Sequence, residues 1–578
     1  MLKKEPPSSR RKSGSSASDS EHKSLCRADA RRWIPTFVGM TKWDSWARIV
    51  LLLIAALIVL TFRDYGITWD EELQSQYGLA VVDYYLSFFH DHRYADIFNL
   101  YLYGGMFDGF ASIFDRFTPF SLYETRHLLN ALMGLLALWG TWRLGRFVGG
   151  GAVGLMALVM LALTPMFYGH MFNNPKDIPF TAGIVWSLYY MGRCFAQFPA
   201  VPRRLIIKLG IIFGLTLGVR VGGVMLLAFW GGVLGVGLLK VLLQQARWGS
   251  PPHKGEGTVG HFLQLLRLTI PVTLIAYAFM LLCWPWAQQH PVMNPLRALS
   301  EFSNFPQDVE VLLAGTTYRS TQLPWYYVPL YFGVQLPEFL LVLLAASLVV
   351  LPRVWKSLNG PRQQTLITML LMAGFPIVYA MLRHPALYDA VRHFMFAVPV
   401  ACILAALTAE QGAVWAVGAF ERVASRRVIG AGLGLLALIV GATQIALMAR
   451  LHPYEYIYVN RSVGGVTGAY GQYELDYWGT SFKEAAGQLQ DYVAREGGVP
   501  AGKIYKIAIC GPWSAAMIYL PPDYEPVVAD KEAQFFLSTT RWLCPKMRPG
   551  REIIRIERMG APLAVVKDLR GGYEMDNH

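Results

Sequence analysis

The sequence is poor in charge: 16% of its 578 residues are Asp, Glu, Lys or Arg, where a soluble chain carries about 25%. With 54% hydrophobic residues and a positive mean hydropathy, the deficit argues for a chain held largely in lipid. The net charge of +13 does not indicate a nucleic-acid binder, because the basic residues sit between apolar runs and form no groove-like stripe. Six cysteines occur, none in a C-x-x-C spacing, so no metal site is expected from them. No G-x-x-x-x-G-K-[ST] loop is present, so ATP is not indicated. No cytosolic Rossmann-like segment for a nucleotide sugar, no signal-peptide cleavage pattern and no repeat of 20–50 residues is visible.

What the chain has is apolar runs. A span needs roughly 20 apolar residues, and about eleven candidates qualify: 47–62, 127–147, 148–164, 178–196, 205–219, 221–243, 268–286, 335–352, 365–383, 391–412 and 429–449. With the amino terminus in the cytoplasm, the inner loops collect Arg143 and Arg146, Arg203, Arg204 and Lys208, Arg247 and Lys254, Arg353 and Lys356, and Arg426 and Arg427. The short outer loops hold little more than Lys176, Arg220, Arg383 and Arg392, which is the positive-inside bias. The expected fold class is therefore mainly α, a polytopic membrane protein of about eleven helices. Residues 1–46 read as a cytoplasmic tail too polar for a core, 47–449 as the membrane domain, and 450–578 as a small extracytoplasmic α/β domain. In that last domain Lys503–Ile509, Gln534–Thr539, Glu552–Glu557 and Pro562–Val566 read as strands and Thr480–Arg495 as a helix. Its cysteines, Cys510 and Cys544, either pair in an oxidising compartment or stay as buried thiols. Long outer segments cover 63–126 and 286–334. Trp284, Trp286, Trp325, Tyr326 and Tyr327 suit an interfacial belt.

Ionisable residues cluster just outside the ends of the apolar runs, on one side of the membrane, where charge is costly and needs a reason. Gly66–Gly78 (GITWDEELQSQYG) sets Asp70, Glu71 and Glu72 side by side, a possible general base or merely an acidic helix start. His170–Phe180 (HMFNNPKDIPF) offers Lys176 as a point charge for phosphate. Asp177 orients an acceptor or pairs with Lys176. Arg220 lies in an apolar, glycine-rich run and calls for an anionic ligand, unless it snorkels. Met381–Phe396 (MLRHPALYDAVRHFMF) gathers Arg383, His384, Tyr388, Asp389, Arg392 and His393 in one outer hairpin. That set suits a lipid-phosphate headgroup, against snorkelling with a local Asp389–Arg392 pair. A separation of nine positions between the histidines, across a proline-containing turn, is not a metal-ligand spacing. Tyr470–Gly479 either stacks on a glycan or joins the outer domain to the membrane domain.

These motifs, together with HPYEYIYVN and GAYGQYELDYWGTSFKEA further on, resemble bacterial lipid-carrier-dependent glycosyltransferases, relatives of the protein O-mannosyltransferases and lipid A aminoarabinose transferases. The resemblance runs from about residue 66 to 484. It implies the C-type membrane glycosyltransferase fold and a polyprenyl-phosphate sugar donor. It also implies an acceptor on a lipid, polysaccharide or protein, inversion at the anomeric carbon, and no cofactor or divalent metal. It further implies an acidic base in the first outer loop, here Asp70 with Glu71 in reserve. The O-mannosyltransferases have a His-x-Asp-Glu version of that motif. Here Thr68 and Trp69 precede the carboxylates, which leaves the acceptor class open. Lys176, Arg220, Arg383, Tyr388, Arg392 and His393 are the expected phosphate binders and Asp177 a further catalytic candidate. The bacterial inner membrane, with the carboxy-terminal domain outside, is the expected location. The rival expectation is a transporter or flippase of lipid-linked sugars. It would show broken helices and internal symmetry, and neither is visible.

Overall fold

The computed structural model describes residues 41–248, 258–303, 307–527 and 532–571. The tail read over 1–46 lies outside them as far as residue 40, as does Lys254 of the inner loops. From Thr41 onward the chain is helical. Thr41 and Asp44 form a capping box, and helix Lys42–Thr61 follows, so that helix takes in the last residues assigned to the tail.

Each of the eleven apolar runs falls on a helix: Lys42–Thr61, Leu122–Gly149, Gly151–Ala162, Asp177–Gln197, Arg203–Leu217, Val224–Trp248, Thr258–Leu282, Glu338–Ser357, Gly360–Arg383, Val398–Phe420 and Arg426–Leu451. Among the described residues, six helices are long and apolar enough to cross a membrane, or seven if Gly151–Ala162 and Pro165–Asn173, bent by 68°, make one span. The others are shorter or more polar. Leu122–Gly149 carries Arg126, His127 and Asn130, all buried, and the first two meet Asp108 and Glu71 of the segment 63–126. At the periphery, Arg426–Leu451 buries only Gln444 and Leu451. Its exposed Leu435, Leu436, Leu438 and Ile439 make a face whose natural solvent is lipid. The architecture is that of a multi-pass membrane protein.

The two long segments expected on the outer side, 63–126 and 286–334, are folded. In 63–126, helix Glu71–Leu86 packs on helix Met106–Phe114. In 286–334, strands Glu310–Leu313 and Thr316–Arg319 pair antiparallel, turning through Ala314 and Gly315, both at positive φ. The aromatic belt is smaller than expected. Trp284 is fully buried and donates its indole N–H to the Tyr101 carbonyl at 2.8 Å. Tyr327 is also buried, and only Trp325 and Tyr326 remain exposed. An aromatic-rich segment beside a span looks the same in sequence whether it faces lipid or a folded loop.

The carboxy-terminal sheet has the order Tyr524–Val527, Tyr505–Cys510, Phe535–Thr539, Ala561–Asp568, Arg551–Arg558. The first three strands are parallel and the last two antiparallel additions. Helix Phe482–Arg495 packs on the last two strands. The four strands read from sequence are present; Tyr524–Val527 was hidden by its shortness and Pro526. Cys510 and Cys544 are joined as a disulfide.

One contact fixes the loop that serves the site. A Cβ on Gly104 would lie 2.0 Å from the Gly218 carbonyl oxygen, and its neighbours Gly105 and Met106 donate backbone N–H groups to Cys283 (2.8 Å) and Gly218 (3.1 Å). Gly104→Ala must push backbone against backbone, which no rotamer relieves. It is expected to cost about 1–3 kcal/mol, read as a lowered thermal midpoint of the purified protein.

Candidate active site

A cavity of about 310 Å³ opens where the loops between these helices meet the carboxy-terminal sheet region. Five separate chain segments deliver its charged groups.

The first is the start of helix Glu71–Leu86. The turn before it is clamped from outside. A Cβ on Gly66 would lie 2.2 Å from the Thr480 carbonyl oxygen, and the Tyr519 hydroxyl accepts from the Ile67 N–H at 3.0 Å. Consecutive helical residues point about 100° apart, so the adjacent carboxylates separate. Asp70 opens into the cavity with 43% of its side chain exposed. Glu71 turns inward, accepts from the Thr68 N–H at 2.7 Å and pairs with His127 at 3.1 Å. The expected carboxylate cluster is thus divided, and Glu71 does not line the cavity.

The second is the Asn-Pro-Lys-Asp turn. Asn174 Oδ1 accepts from the Asp177 N–H at 3.0 Å and its Nδ2 donates to Asp177 Oδ2 at 3.0 Å. This reciprocal turn aims Asp177 at Arg220, 2.7 Å away, and turns Lys176 the other way. The pairing of Lys176 with Asp177 considered from sequence does not form. Instead Lys176 Nζ sits 3.8 Å above the centre of the Tyr103 ring. Burial pushes the Lys176 ammonium down to about 8; Asp108 and Asp70 oppose this, while Arg220 and Arg392 add to it.

The third is Arg220, in extended backbone between helix Arg203–Leu217 and the turn Val221–Gly223. Its guanidinium lies 5.7 Å from the same Tyr103 ring. The fourth is the segment before helix Val398–Phe420. Asp389 and Ala390 both have left-handed backbone, φ 56° and 58°, a conformation side chains adopt only when contacts over-determine it. Here Trp478 donates to Asp389 Oδ2 at 3.2 Å, Arg541 pairs with Asp389 Oδ1 at 3.2 Å, and the Tyr327 hydroxyl donates to the Ala390 carbonyl at 3.3 Å. Arg392 then reaches Asp389 at 3.1 Å and Asp70 at 3.5 Å, between the rings of Tyr388 (5.1 Å) and Trp478 (5.3 Å). His393 meets Tyr388 edge-on at 5.2 Å. Burial pushes the Tyr388 phenol well up, against the pull of Arg392, so it remains a hydrogen-bond donor.

The fifth is Arg541 and Trp542 of the carboxy-terminal domain. Arg541 pairs with Glu474 at 2.8 Å. Glu474, Arg541, Asp389, Arg392 and Asp70 thus form a ladder of alternating charge that ends at the exposed carboxylate.

Of the residues singled out from sequence, Asp70, Lys176, Arg220, Tyr388, Arg392 and His393 line one cavity. Asp177 stands behind Arg220. Arg383 ends helix Gly360–Arg383, exposed and outside the cavity lining. Sequence reasoning missed Tyr103, Arg541 and Trp542, none of which carries a local signal. The open reading of Tyr470–Gly479 resolves by residue. Asp476 accepts from the Tyr456 hydroxyl and the Thr480 and Ser481 N–H groups and serves as a joint, whereas Trp478 faces the cavity.

Residues 108–248 match the family model described as dolichyl-phosphate-mannose-protein mannosyltransferase. No curated protein matches the chain. Among solved structures, the chain is similar to ArnT from Cupriavidus metallidurans bound to undecaprenyl phosphate, at 13% identity and a TM-score of 0.44, over 91% of this chain and 98% of that one. It is also similar to the archaeal oligosaccharyltransferase AglB from Archaeoglobus fulgidus in complex with an inhibitory peptide and a dolichol-phosphate, at 13% identity and a TM-score of 0.46, over 86% of this chain and 70% of that one. The segment that delivers Lys176, Asp177 and Arg220 lies within the part of the chain that matches this family model.

Proposed function

We propose that this chain is a membrane glycosyltransferase that moves a sugar from a polyprenyl-phosphate carrier to an acceptor hydroxyl on the outer side of the bacterial inner membrane. The observation that carries the reading is the shared cavity of Asp70 with Lys176, Arg220 and Arg392. The match to a family of dolichyl-phosphate-mannose enzymes supports the same donor class. The Cys510–Cys544 disulfide supports an oxidising compartment for the carboxy-terminal domain.

In this mechanism Asp70 accepts the proton of the acceptor hydroxyl. The hydroxyl oxygen attacks the anomeric carbon as the bond from that carbon to the phosphate oxygen breaks. The lipid phosphate leaves with the electron pair, and Lys176, Arg220 and Arg392 stabilise its charge. A single displacement inverts the anomeric centre. Asp177 acts by holding Arg220, and Glu71 by holding the loop through His127.

The reading is tested by purifying the chain into nanodiscs and following release of sugar from the carrier, alongside mass spectrometry of glycolipids and surface glycans from a deletion strain. Intact donor and an unchanged glycan profile would sink it. The Lys176 ammonium also makes donor binding pH-dependent. The cation is present below about 8 and lost above it. A bound phosphate favours the protonated form, so the dissociation constant for undecaprenyl phosphate is expected to climb, approaching tenfold per pH unit, above that value. Lys176→Met is expected to flatten the climb.

A further inference from the structure

The proposed reaction leaves the acceptor unplaced, and any placement of it rests on that reading of the function. In an inverting displacement the base works on the face of the sugar opposite the leaving group. Lys176, Arg220 and Arg392 mark the phosphate end of the cavity. Another part of its wall is aromatic. Trp69, next to Asp70, meets Trp542 edge-on with ring centroids 5.9 Å apart. Both line the cavity, and Trp69 is 41% exposed. Trp542 has φ 55°, a genuine outlier for a bulky residue. Its turn is held from two sides. Arg541 lies 4.6 Å over its ring and is anchored to Glu474 and Asp389. The disulfide ties the turn Arg541–Lys546 to strand Tyr505–Cys510.

The chemistry of this wall is neutral. Arg541 already faces two carboxylates, so a phosphate-bearing acceptor finds no uncompensated charge in it. Gln74, Asn99 and Gln307 line the same cavity as amides. Gln74 stands one helical turn from Asp70, on the same face. It is 3% exposed, and its Oε1 has no hydrogen-bond partner. Flat indoles fit the C–H face of a sugar ring, and a buried amide oxygen beside the base fits a ring hydroxyl.

We infer that Trp69, Trp542 and Gln74 form the acceptor subsite and that the acceptor is a neutral saccharide. Saturation-transfer NMR on the full chain in nanodiscs tests this, with mannotriose, maltotriose and chitotriose as one set of probes and a serine- and threonine-rich peptide as the other. At least one trisaccharide is expected to receive saturation at its ring protons. Trp542→Ala and Gln74→Ala are each expected to weaken its binding by about tenfold, and Trp542→Phe to retain most of it. Binding of the peptide alone, of no trisaccharide, or of a trisaccharide equally well by Trp542→Ala overturns the assignment. Undecaprenyl phosphate titrated into the same parent sample reports on the donor end. A chain that binds it and ignores the saccharides loses only the acceptor subsite, whereas one that fails to bind it loses the proposed function.

Discussion

Asp70→Asn is expected to slow sugar transfer by roughly 10²–10⁴-fold, the usual contribution of a positioned general base, while binding of undecaprenyl phosphate stays near its parent value. The substitution is nearly isosteric. The Gln74 N–H donates to the Asp70 carbonyl oxygen at 3.1 Å through the backbone, so the start of the helix is kept. The amide can still face Arg392, although the charge attraction is lost. Glu71 cannot take over, because it is 1% exposed and held by His127 and the Thr68 N–H. Initial rates with a labelled polyprenyl-phosphate sugar check the loss, and a variant that transfers at the parent rate places the base elsewhere.

Arg392→Ala is expected to act on binding as well as on rate, raising the dissociation constant for undecaprenyl phosphate by roughly 100-fold or more. Truncating one partner of a buried, hydrogen-bonded charge pair costs about 2–5 kcal/mol, and Arg392 is 6% exposed between two rings and two carboxylates. The fold should tolerate the change, since Asp389 keeps Arg541 at 3.2 Å and Trp478 at 3.2 Å. Arg392→Lys keeps the charge but loses the planar fork that reaches Asp389 and Asp70 together, and is expected to recover only part of the affinity. Titration of the lipid phosphate by calorimetry checks both. Unaltered affinity in Arg392→Ala would remove this residue from the phosphate site.

The helices were legible because a lipid-facing run writes its length and polarity directly into sequence, and the carboxy-terminal strands because their apolar stretches are short and bounded by charge. The cations and Asp70 were legible for the same reason in reverse, as charges where charge is expensive. What sequence could not convey was direction. Asp70 and Glu71 are neighbours with opposite fates because helix phase separates them. Lys176 and Asp177 likewise diverge, one to a tyrosine ring and the other to an arginine 43 residues on. Arg383 has the same local appearance as Arg392, yet it terminates a helix in the open. Arg541 and Trp542 lie so far along the chain from Asp70 that only the folded sheet brings them there.

The clamp on the turn before Asp70 has a consequence for biogenesis. Thr480 and Tyr519 hold that turn, and Arg541 braces Asp389, so the first outer loop is finished by residues synthesised more than 400 positions later. A ribosome-bound intermediate with every helix already inserted has its cations but not the geometry that aligns them with the carboxylate. On the proposed function, competence to react is expected only once the carboxy-terminal residues that hold this turn have folded.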